Sequence, residues 1–547
     1  MFALSGSLIL SLTVIPVAAS YLLTKISHEE PWLPRKLQQI YKPALAWCLD
    51  NTKKVFTVVG SLLMVTFLVF GQIGSTFMPN MDEGDIILQI EKLPSITLAQ
   101  SIILDQQLQK NLLKNIPEID SILGRVGSDE LGLDPMGLNE TDTFLVLKPE
   151  KEWLVHNKTE LIEKIRTVMQ NTPGIGFSFS QPIEMRVSEM LTGTRGDLAV
   201  KLFGSDLAVL NEKANEIAAV LKQIPGSSDV VAKQNDGMKF LQVKIDKTAA
   251  GRLGIDSDTI ETLLRSEVEG LNLGIVQEGI RRTPLILRGD SNNANFDSLQ
   301  ITLPNHGGRV PITEIAKIEQ VEGVVSIGRE KGQRFTVVRS NVEGRDLVGF
   351  VEEARRNVAE KVKLPTGYTV QFGGQFENQQ RAAATLSIVI PISIGLIFLL
   401  LFSTFGSVRQ AVLVLSNIPL AMIGGVFALW VSGEYLSVPA SVGFIALLGI
   451  AVLNGVVMVS YFNQLLVTGM EIGKVVMIGS SRRLRPVLMT ASIAAFGLIP
   501  LLFATGPGSE IQRPLAVVVI GGLVSSTFLT LFLLPILFRL FGQTKQN

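Results

Sequence analysis

Long apolar runs and one large polar block alternate along this chain of 547 residues. Each run is close to the ~20 residues that a helix needs to cross ~30 Å of hydrocarbon. The seven runs cover residues 2–23, 55–77, 386–405, 411–431, 438–462, 487–504 and 514–540. A backbone in lipid must satisfy its own hydrogen bonds, so runs of this length predict helices. We therefore predict a membrane α-helical bundle of about seven spans.

Basic residues indicate which way the spans point. Segment 24–54 carries six Lys and Arg residues, and the predicted loop before the sixth run carries Lys474, Arg482, Arg483 and Arg485. Both should be cytoplasmic under the positive-inside rule. An odd number of spans then places the N-terminus, the polar block of about residues 78–383 and the short opposite loops outside, and the C-terminus inside. A secretory signal peptide at 1–20 is the alternative, but no Lys or Arg precedes that apolar stretch.

Composition excludes several function classes. Lys plus Arg and Asp plus Glu each number 49, and this zero net charge argues against a nucleic-acid partner. Cys48 is the single cysteine, so no intramolecular disulfide can form. His28, His156 and His306 have no metal-ligand spacing, and no HExxH, GxSxG or Walker motif occurs. We expect no enzymatic activity and no use of ATP.

The polar block contains an internal repeat. Four amphipathic helical stretches end in a residue–proline step, at Pro117, Pro173, Pro225 and Pro365, and each is followed by a β-rich run. This repetition predicts α+β subdomains built from ferredoxin-like βαβ units. Residues of about 236–333, between the third and fourth copies, are predicted to form an inserted subdomain.

Several motifs occur in the order found in one transporter family. They are FMPNMDEGD at 77–85, LKP at 147–149, GGQFE at 373–377, GIAVLNG at 449–455 and RLRPVLMT at 483–490. With the pattern of spans, they resemble the C-terminal half of a heavy-metal efflux pump of the resistance-nodulation-division (RND) superfamily, cobalt-zinc-cadmium type. The resemblance covers essentially the whole chain.

The resemblance implies a domain plan. It gives a transmembrane helix at 1–23 (sixth of the full-length family), a cytoplasmic linker at 24–54, a transmembrane helix at 55–77, a porter subdomain at 78–195, a second porter subdomain at 196–235 and 334–383, a docking insertion at 236–333 and a five-helix transmembrane bundle at 384–547. The intact pump would be a proton-driven homotrimer in the bacterial inner membrane, with a large periplasmic region. It would dock to a periplasmic adaptor protein and an outer-membrane channel.

Family members of this kind are about twice as long. The chain is therefore expected to need an N-terminal half, which carries the family's proton-carrying acids, and to be a split-gene product, a truncation or a fragment.

The resemblance also suggests the cargo. At the three positions where copper and silver members carry methionines, this chain has Glu140, Glu189 and Ile255. Oxygen ligands suit a divalent ion such as Zn²⁺, Co²⁺ or Cd²⁺ better than Cu(I). The candidate metal ligands are Glu189, Glu184, Glu140, Asp142, Asp256 and Asp258. The alternative for each is a solvated surface acid. No cofactor is expected beyond the transported metal ion.

Two polar residues in the apolar runs are candidates for a proton or ion path. Asn454 and Val487 replace an acid and a lysine of copper and silver members, and Thr490 follows in the next helix. A buried Asn at this depth is costly unless it is hydrogen-bonded, which predicts a polar seam of Asn454 and Thr490. The alternative for Asn454 is simple helix–helix adhesion beside Gly449 and Gly455.

Two other functions remain open from the sequence. An RND exporter of drugs or other small molecules would keep this fold and need a large aromatic-lined cleft. An accessory of protein export would have a much smaller external block.

Overall fold

The computed structural model describes residues 2–22, 32–79, 81–128, 136–192, 196–268, 270–289, 299–303 and 307–542, with only the backbone described at 2–4, 22, 33, 188–192 and 268. The helices are α1 (Phe2–Leu22), α2 (Trp32–Asp50), α3 (Thr52–Phe70), α4 (Leu98–Asn115), α5 (Lys158–Gln170), α6 (Pro182–Thr192), α7 (Leu207–Leu221), α8 (Lys247–Arg252), α9 (Ser257–Val268), α10 (Leu347–Lys361), α11 (Gln375–Phe405), α12 (Val408–Leu415), α13 (Asn417–Ser432), α14 (Val438–Val467), α15 (Ile472–Leu502) and α16 (Ser509–Phe541). The strands are β1 (Ile86–Glu91), β2 (Ile119–Val126), β3 (Glu140–Leu147), β4 (Gly176–Ser180), β5 (Leu198–Phe203), β6 (Ser227–Ala232), β7 (Met238–Ile245), β8 (Leu271–Glu278), β9 (Arg281–Leu287), β10 (Gln300–Thr302), β11 (Arg309–Pro311), β12 (Ala316–Gly323), β13 (Gly328–Glu330), β14 (Gln333–Val342) and β15 (Thr369–Gly374).

Six helical segments within the described residues are long and apolar enough to cross a membrane. They are α3, α11, α12 with α13, α14, α15 and α16. The remaining predicted run, residues 2–23, forms α1, whose fully described part is a shorter apolar helix of 17 residues, Ser5–Tyr21.

The two span boundaries next to the polar block differ from the prediction. Helix α3 ends at Phe70 and not at residue 77, because the chain turns at Gly71 and Ser75 then pairs with Leu436. Helix α11 begins at Gln375, eleven residues before the predicted start at 386. Gly374, at φ 84°, makes the sharp turn from β15 into α11, so the membrane helix follows the polar region directly, without a linker.

The basic residues before the sixth run do not lie in a loop, so that part of the prediction is wrong. Lys474, Arg482, Arg483 and Arg485 all lie within α15, which begins at Ile472. Apolar positions interleave with them, and Val475, Val476 and Leu484 of the same turns are buried. The helix therefore continues through the basic stretch because one of its faces packs in the bundle.

The first α+β unit, residues 86–192, is a four-stranded antiparallel sheet in the order β2-β3-β1-β4. Helices α4 and α5 are its two crossovers, which is the split βαβ arrangement. One side of β1, with Ile86, Leu88 and Ile90, is buried against Leu112 of α4 and Ile165 of α5. Among the described residues, no helix is packed across the other side of the sheet.

The second α+β unit repeats this order. Strand β5 lies between β14 and β15, β6 pairs with β14, and α7 and α10 cover one side through Leu210, Ile217 and Phe350. The insertion between β6 and β14 has its own small core, which includes Ile255, Ile260 and Ile312. Strand β13, residues 328–330, pairs with β14 and so belongs to the sheet of the second unit, although it lies inside the predicted insertion 236–333.

The segment predicted as a linker, 24–54, contains α2. Tyr41, Leu45 and Leu49 of this helix are buried in the core of the helical bundle, and the Tyr41 hydroxyl donates to the Leu531 carbonyl of α16 at 2.6 Å. The opposite side, with Trp32 and Trp47, is exposed. The helix is therefore an amphipathic part of the bundle.

Candidate functional site

The side of the first sheet without helices is polar, and it faces the second unit. On β1, Gln89 and Glu91 alternate with the buried apolar residues and therefore point to this side. Gln89 pairs in register with Asp142 and Ser178, and Glu91 with Glu140. Alternation thus places carboxylate, amide and hydroxyl oxygens of three neighbouring strands on one surface, which we call the polar face.

Glu91 and Glu140 are cross-strand neighbours on the polar face. Directly opposed side chains of an antiparallel pair have Cβ atoms about 5 Å apart. The Glu91 Oε1 atom is buried without a hydrogen-bond partner, and burial raises the pKa of Glu91 while Arg339 opposes this. Sequence reasoning missed Glu91 because a single acid at the end of a strand gives no motif.

Bases of the second unit hold these two acids. Arg339 Nη2 of β14 lies 3.0 Å from Glu91 Oε2, and Lys233 Nζ lies 3.4 Å from Glu140 Oε1. All four side chains are largely or partly buried. Two carboxylates of one unit are therefore balanced by two cations of the other.

A third ion pair also joins the units. Arg166 of α5 binds Asp229 of β6 and, at 2.8 Å, Glu343 beyond β14. The second Asp229 oxygen accepts from the Asn341 amide at 3.1 Å and from the Phe179 N–H at 3.3 Å. The Asp229 side chain is 1% exposed, so this network fixes one end of the interface.

Helix α6 starts beside this interface and carries Glu184. The Glu83 carboxylate accepts from the N–H groups of Ile183 at 2.5 Å and Glu184 at 2.9 Å, which supplies partners to two unpaired donors of the first turn. The Glu83 N–H in turn donates to the Gln181 side chain at 2.8 Å. The DEG part of the 77–85 motif therefore anchors α6 across 100 residues of sequence.

Two acids at this point have raised pKa values. Burial, together with repulsion from Asp197 and Glu83, raises the pKa of Glu184 to about 7. Burial also raises the pKa of Asp197 to about 6, although the Val342 N–H donates to it. Glu184 lines a cavity of ≈ 20 Å³ with Gln89, Met185 and Asp229, which is room for about one water molecule.

The structure separates the predicted metal ligands. Glu140 and Asp142 lie on β3 of the polar face, but Asp142 is fully buried and pairs with Arg125 at 2.7 Å. Asp256 and Asp258 are exposed in the insertion, where Asp256 caps α9 by accepting from the Thr259 N–H at 2.6 Å. Their helix packs in a separate core, so these two do not reach the polar face.

Glu189 and Ile255 are the two other positions that the sequence singled out for the metal site. Glu189 belongs to α6, but its side chain lies outside the described part of the structure. Ile255 is buried in the core of the insertion, which explains an apolar residue there. Among the described residues, no three His, Cys, Asp or Glu side chains are placed to hold one metal ion.

In the bundle, the two predicted path residues do meet. Thr490 Oγ1 of α15 donates to Asn454 Oδ1 of α14 at 3.2 Å, and it also bonds to carbonyls of its own helix. Asn454 is 3% exposed and its Nδ2 has no partner. A second polar contact lies next to Asn454. The Asn417 amide of α13 packs against Gly455, and Asn417 Oδ1 accepts from the Thr530 hydroxyl of α16 at 3.3 Å. Sequence reasoning missed Asn417 and Thr530, since they belong to different runs.

Comparison with known proteins identifies the family. The pattern of the AcrB/AcrD/AcrF family matches residues 1–542. The chain belongs to this family. It is 39% identical over 556 residues to the cobalt-zinc-cadmium resistance protein CzcA of Cupriavidus metallidurans, with 100% of this chain and 52% of the relative covered. It is 30% identical to the cation efflux system protein CusA of Escherichia coli K12, with 98% of this chain and 53% of the relative covered.

A solved structure shows the same fold. The X-ray crystal structure of a heavy metal efflux pump superposes with a TM-score of 0.83 at 36% identity, covering 94% of this chain and 52% of that one. The chain thus spans about half the length of the relatives it matches. The resemblance to heavy-metal RND pumps is confirmed, and a half-length match fits the predicted C-terminal half.

Proposed function

We propose that this chain is the C-terminal portion of an inner-membrane RND transporter that exports divalent heavy-metal cations. The observation that carries the proposal is the polar face, where Gln89, Glu91 and Glu140 present oxygen ligands at the interface of the two units. Such ligands suit Zn²⁺ and Co²⁺. The relatives named for cobalt, zinc and cadmium resistance are also more similar to this chain than the CusA relative is.

The transported ion would bind when the two units separate. In the described conformation Arg339 forms an ion pair with Glu91, and Lys233 forms one with Glu140. The cavity beside Glu184 has a volume of only ≈ 20 Å³. Opening of the interface moves the bases away with the second unit and leaves the carboxylates free for a metal ion.

The membrane part would supply the energy. We propose that Asn454 and Thr490 belong to a proton path completed by an N-terminal half. Asn454 Nδ2 is buried without a partner, and a buried amide donor in an apolar bundle needs one. The direct connection at Gly374 joins α11 to the second unit without a linker, so a shift among the helices would be passed to the interface.

The proposed assembly is the one that the family resemblance implies. We propose seven spans, with α1 as the seventh, a periplasmic location for the two α+β units, and a homotrimer that contacts an adaptor protein and an outer-membrane channel. The repeated strand order of the two sheets, with ion pairs between the units, supports two pump-like units that move against each other.

Metal content of cells tests the proposal. The chain is expressed with a matching N-terminal half in a metal-sensitive host, and growth and cellular Zn, Co, Cd, Ni, Cu and Ag are measured. We expect lower Zn, Co or Cd content, and loss of this effect in Glu140→Gln. The control is Asp258→Asn, which removes an exposed acid of the insertion and should keep export. Resistance to Cu or Ag alone, or equal loss in both variants, would contradict the proposal.

A further inference from the structure

The two acids of the polar face meet two bases that belong to the opposite unit. Glu91 pairs with Arg339 at 3.0 Å and Glu140 with Lys233 at 3.4 Å. Since Glu91 and Glu140 are register partners on β1 and β3, the four charges form one compact group across the interface. Arg339 lies on β14 and Lys233 directly follows β6, so both bases move with the second unit.

One carboxylate oxygen of this group has no hydrogen-bond partner. Glu91 Oε1 is buried without a hydrogen-bond partner. Gln89, two residues earlier on the same strand side, is 8% exposed and lines the small cavity, and its Oε1 accepts from the Ser178 hydroxyl at 3.0 Å. Buried polar atoms are normally satisfied, so the free Glu91 oxygen indicates a place where another partner binds in a different state.

We propose that Arg339 and Lys233 are built-in competitors that expel the metal ion when the two units close. In the open state a divalent ion binds Glu91 and Glu140, with the Gln89 carbonyl oxygen as a further ligand. On closure the guanidinium and ammonium groups return to the carboxylates, and the ion leaves into the exit pathway. This inference rests on the proposed function.

The charge balance at the two carboxylates favours a divalent ion over a monovalent one. One divalent ion neutralises both carboxylates and therefore replaces both bases without leaving a net charge in the interface. A monovalent ion neutralises one carboxylate only, so one base must stay or one acid stays unpaired, which is costly in a buried position. The arrangement thus favours divalent over monovalent cargo, independently of the softness of the ligands.

The test measures metal binding and not only export. Purified full chain is titrated with Co²⁺ at pH 8, and binding is followed by the visible spectrum of the bound ion. We expect Lys233→Gln and Arg339→Gln each to tighten Co²⁺ binding at least about fivefold, because a competing cation has been removed. Lys233→Arg keeps the charge and should bind like the original chain.

Matched controls separate this effect from general loss of basic charge. Lys201 pairs with Glu330 and Arg345 with Glu353, both within the second unit. Lys201→Gln and Arg345→Gln should leave Co²⁺ affinity unchanged, and thermal unfolding shows that each variant is folded. In cells, Lys233→Gln should retain metal and export less.

The outcomes distinguish the two proposals. Co²⁺ binding that needs Glu140 but is unchanged in Lys233→Gln and Arg339→Gln would overturn the competitor mechanism and leave the metal site standing. Binding weakened by those variants would also overturn it, since the bases would then be supporting the site. No Co²⁺ binding in any variant would overturn both the mechanism and the proposed function.

Discussion

Glu184 combines a buried position with two neighbouring acids, and its protonation should affect stability. Its pKa is about 7 in the folded chain, above the ordinary value of 4.5. Between pH 4.5 and about 7 the Glu184 carboxyl therefore keeps its proton in the folded chain and loses it in the unfolded chain. Ionisation of Glu184 lowers the stability of the folded chain as the pH rises through this window. Glu184→Gln should raise the Tm at pH 8 by a few degrees and leave it unchanged at pH 4. An equal gain at both pH values would show that the charge is not responsible.

Arg166 should contribute more to stability than an exposed base does. It contacts Asp229, Glu343 and Glu163, and removal leaves the fully buried Asp229 with an uncompensated charge. Loss of one partner of a buried pair costs about 3 kcal/mol or more. Arg166→Met should therefore lower the free energy of unfolding by about that amount, measured by denaturant titration.

The control for Arg166 is an exposed ion pair. Arg381 pairs with Glu377 one turn away on α11 and is mostly exposed. Arg381→Met should cost less than about 0.5 kcal/mol. Similar losses in both variants would mean that the Arg166 network adds nothing to the interface.

At the level of single elements, α6 depends on an acid far from it in sequence. Glu83→Gln weakens the acceptor for the Ile183 and Glu184 N–H groups. We expect the first turn of α6 to open more readily, by about 1 kcal/mol, which is typical for loss of a helix cap. Hydrogen exchange of these two amides should accelerate about fivefold. Glu360→Gln, on the exposed side of α10, is the control and should change neither rate.

Two glycines of α14 give a matched test of the bundle. A Cβ at Gly455 would lie 2.4 Å from Asn417 Nδ2 and 3.0 Å from Val414 Cγ1, whereas nothing lies within 4 Å at Gly449. Gly455→Ala should lower stability by about 1–3 kcal/mol because α13 must shift. Gly449→Ala should be neutral or stabilising, since Ala favours a helix. Tm values of the purified variants check this, and equal values would contradict the close α13–α14 contact.

The elements also show what sequence reasoning can reach. The apolar runs became helices because hydrophobicity and length suffice to specify a buried or lipid-facing helix. The predicted end of α3 was wrong because a local contact between Ser75 and Leu436 ends the helix early. The predicted start of α15 was wrong because the buried apolar face of the helix continues through its basic residues. The Pro-terminated repeats correctly anticipated a helix followed by a strand in the two units.

At the scale of the whole molecule, the site was predictable only in part. Asn454 and Thr490 lie in motifs, and a hydrogen bond joins their side chains. Glu91, Arg339 and Lys233 come from segments about 100 to 250 residues apart, so no local pattern could connect them. Asp256 and Asp258 share the chemistry of the other candidates, but the insertion carries them away from the polar face. The position of a residue in the sheet order decides its role, and that order is not visible in spacing.

X-ray absorption of the bound metal tests the central claim most directly. Purified chain is loaded with Zn²⁺ at pH 8, and the ligands are read from the Zn edge in the original chain and in Glu140→Gln. The account predicts a first shell of oxygen atoms at about 2.0–2.2 Å that is lost in the variant. A sulfur shell at about 2.3 Å, or a shell unchanged by Glu140→Gln, would show that metal binds elsewhere and would contradict the polar face as the transport site.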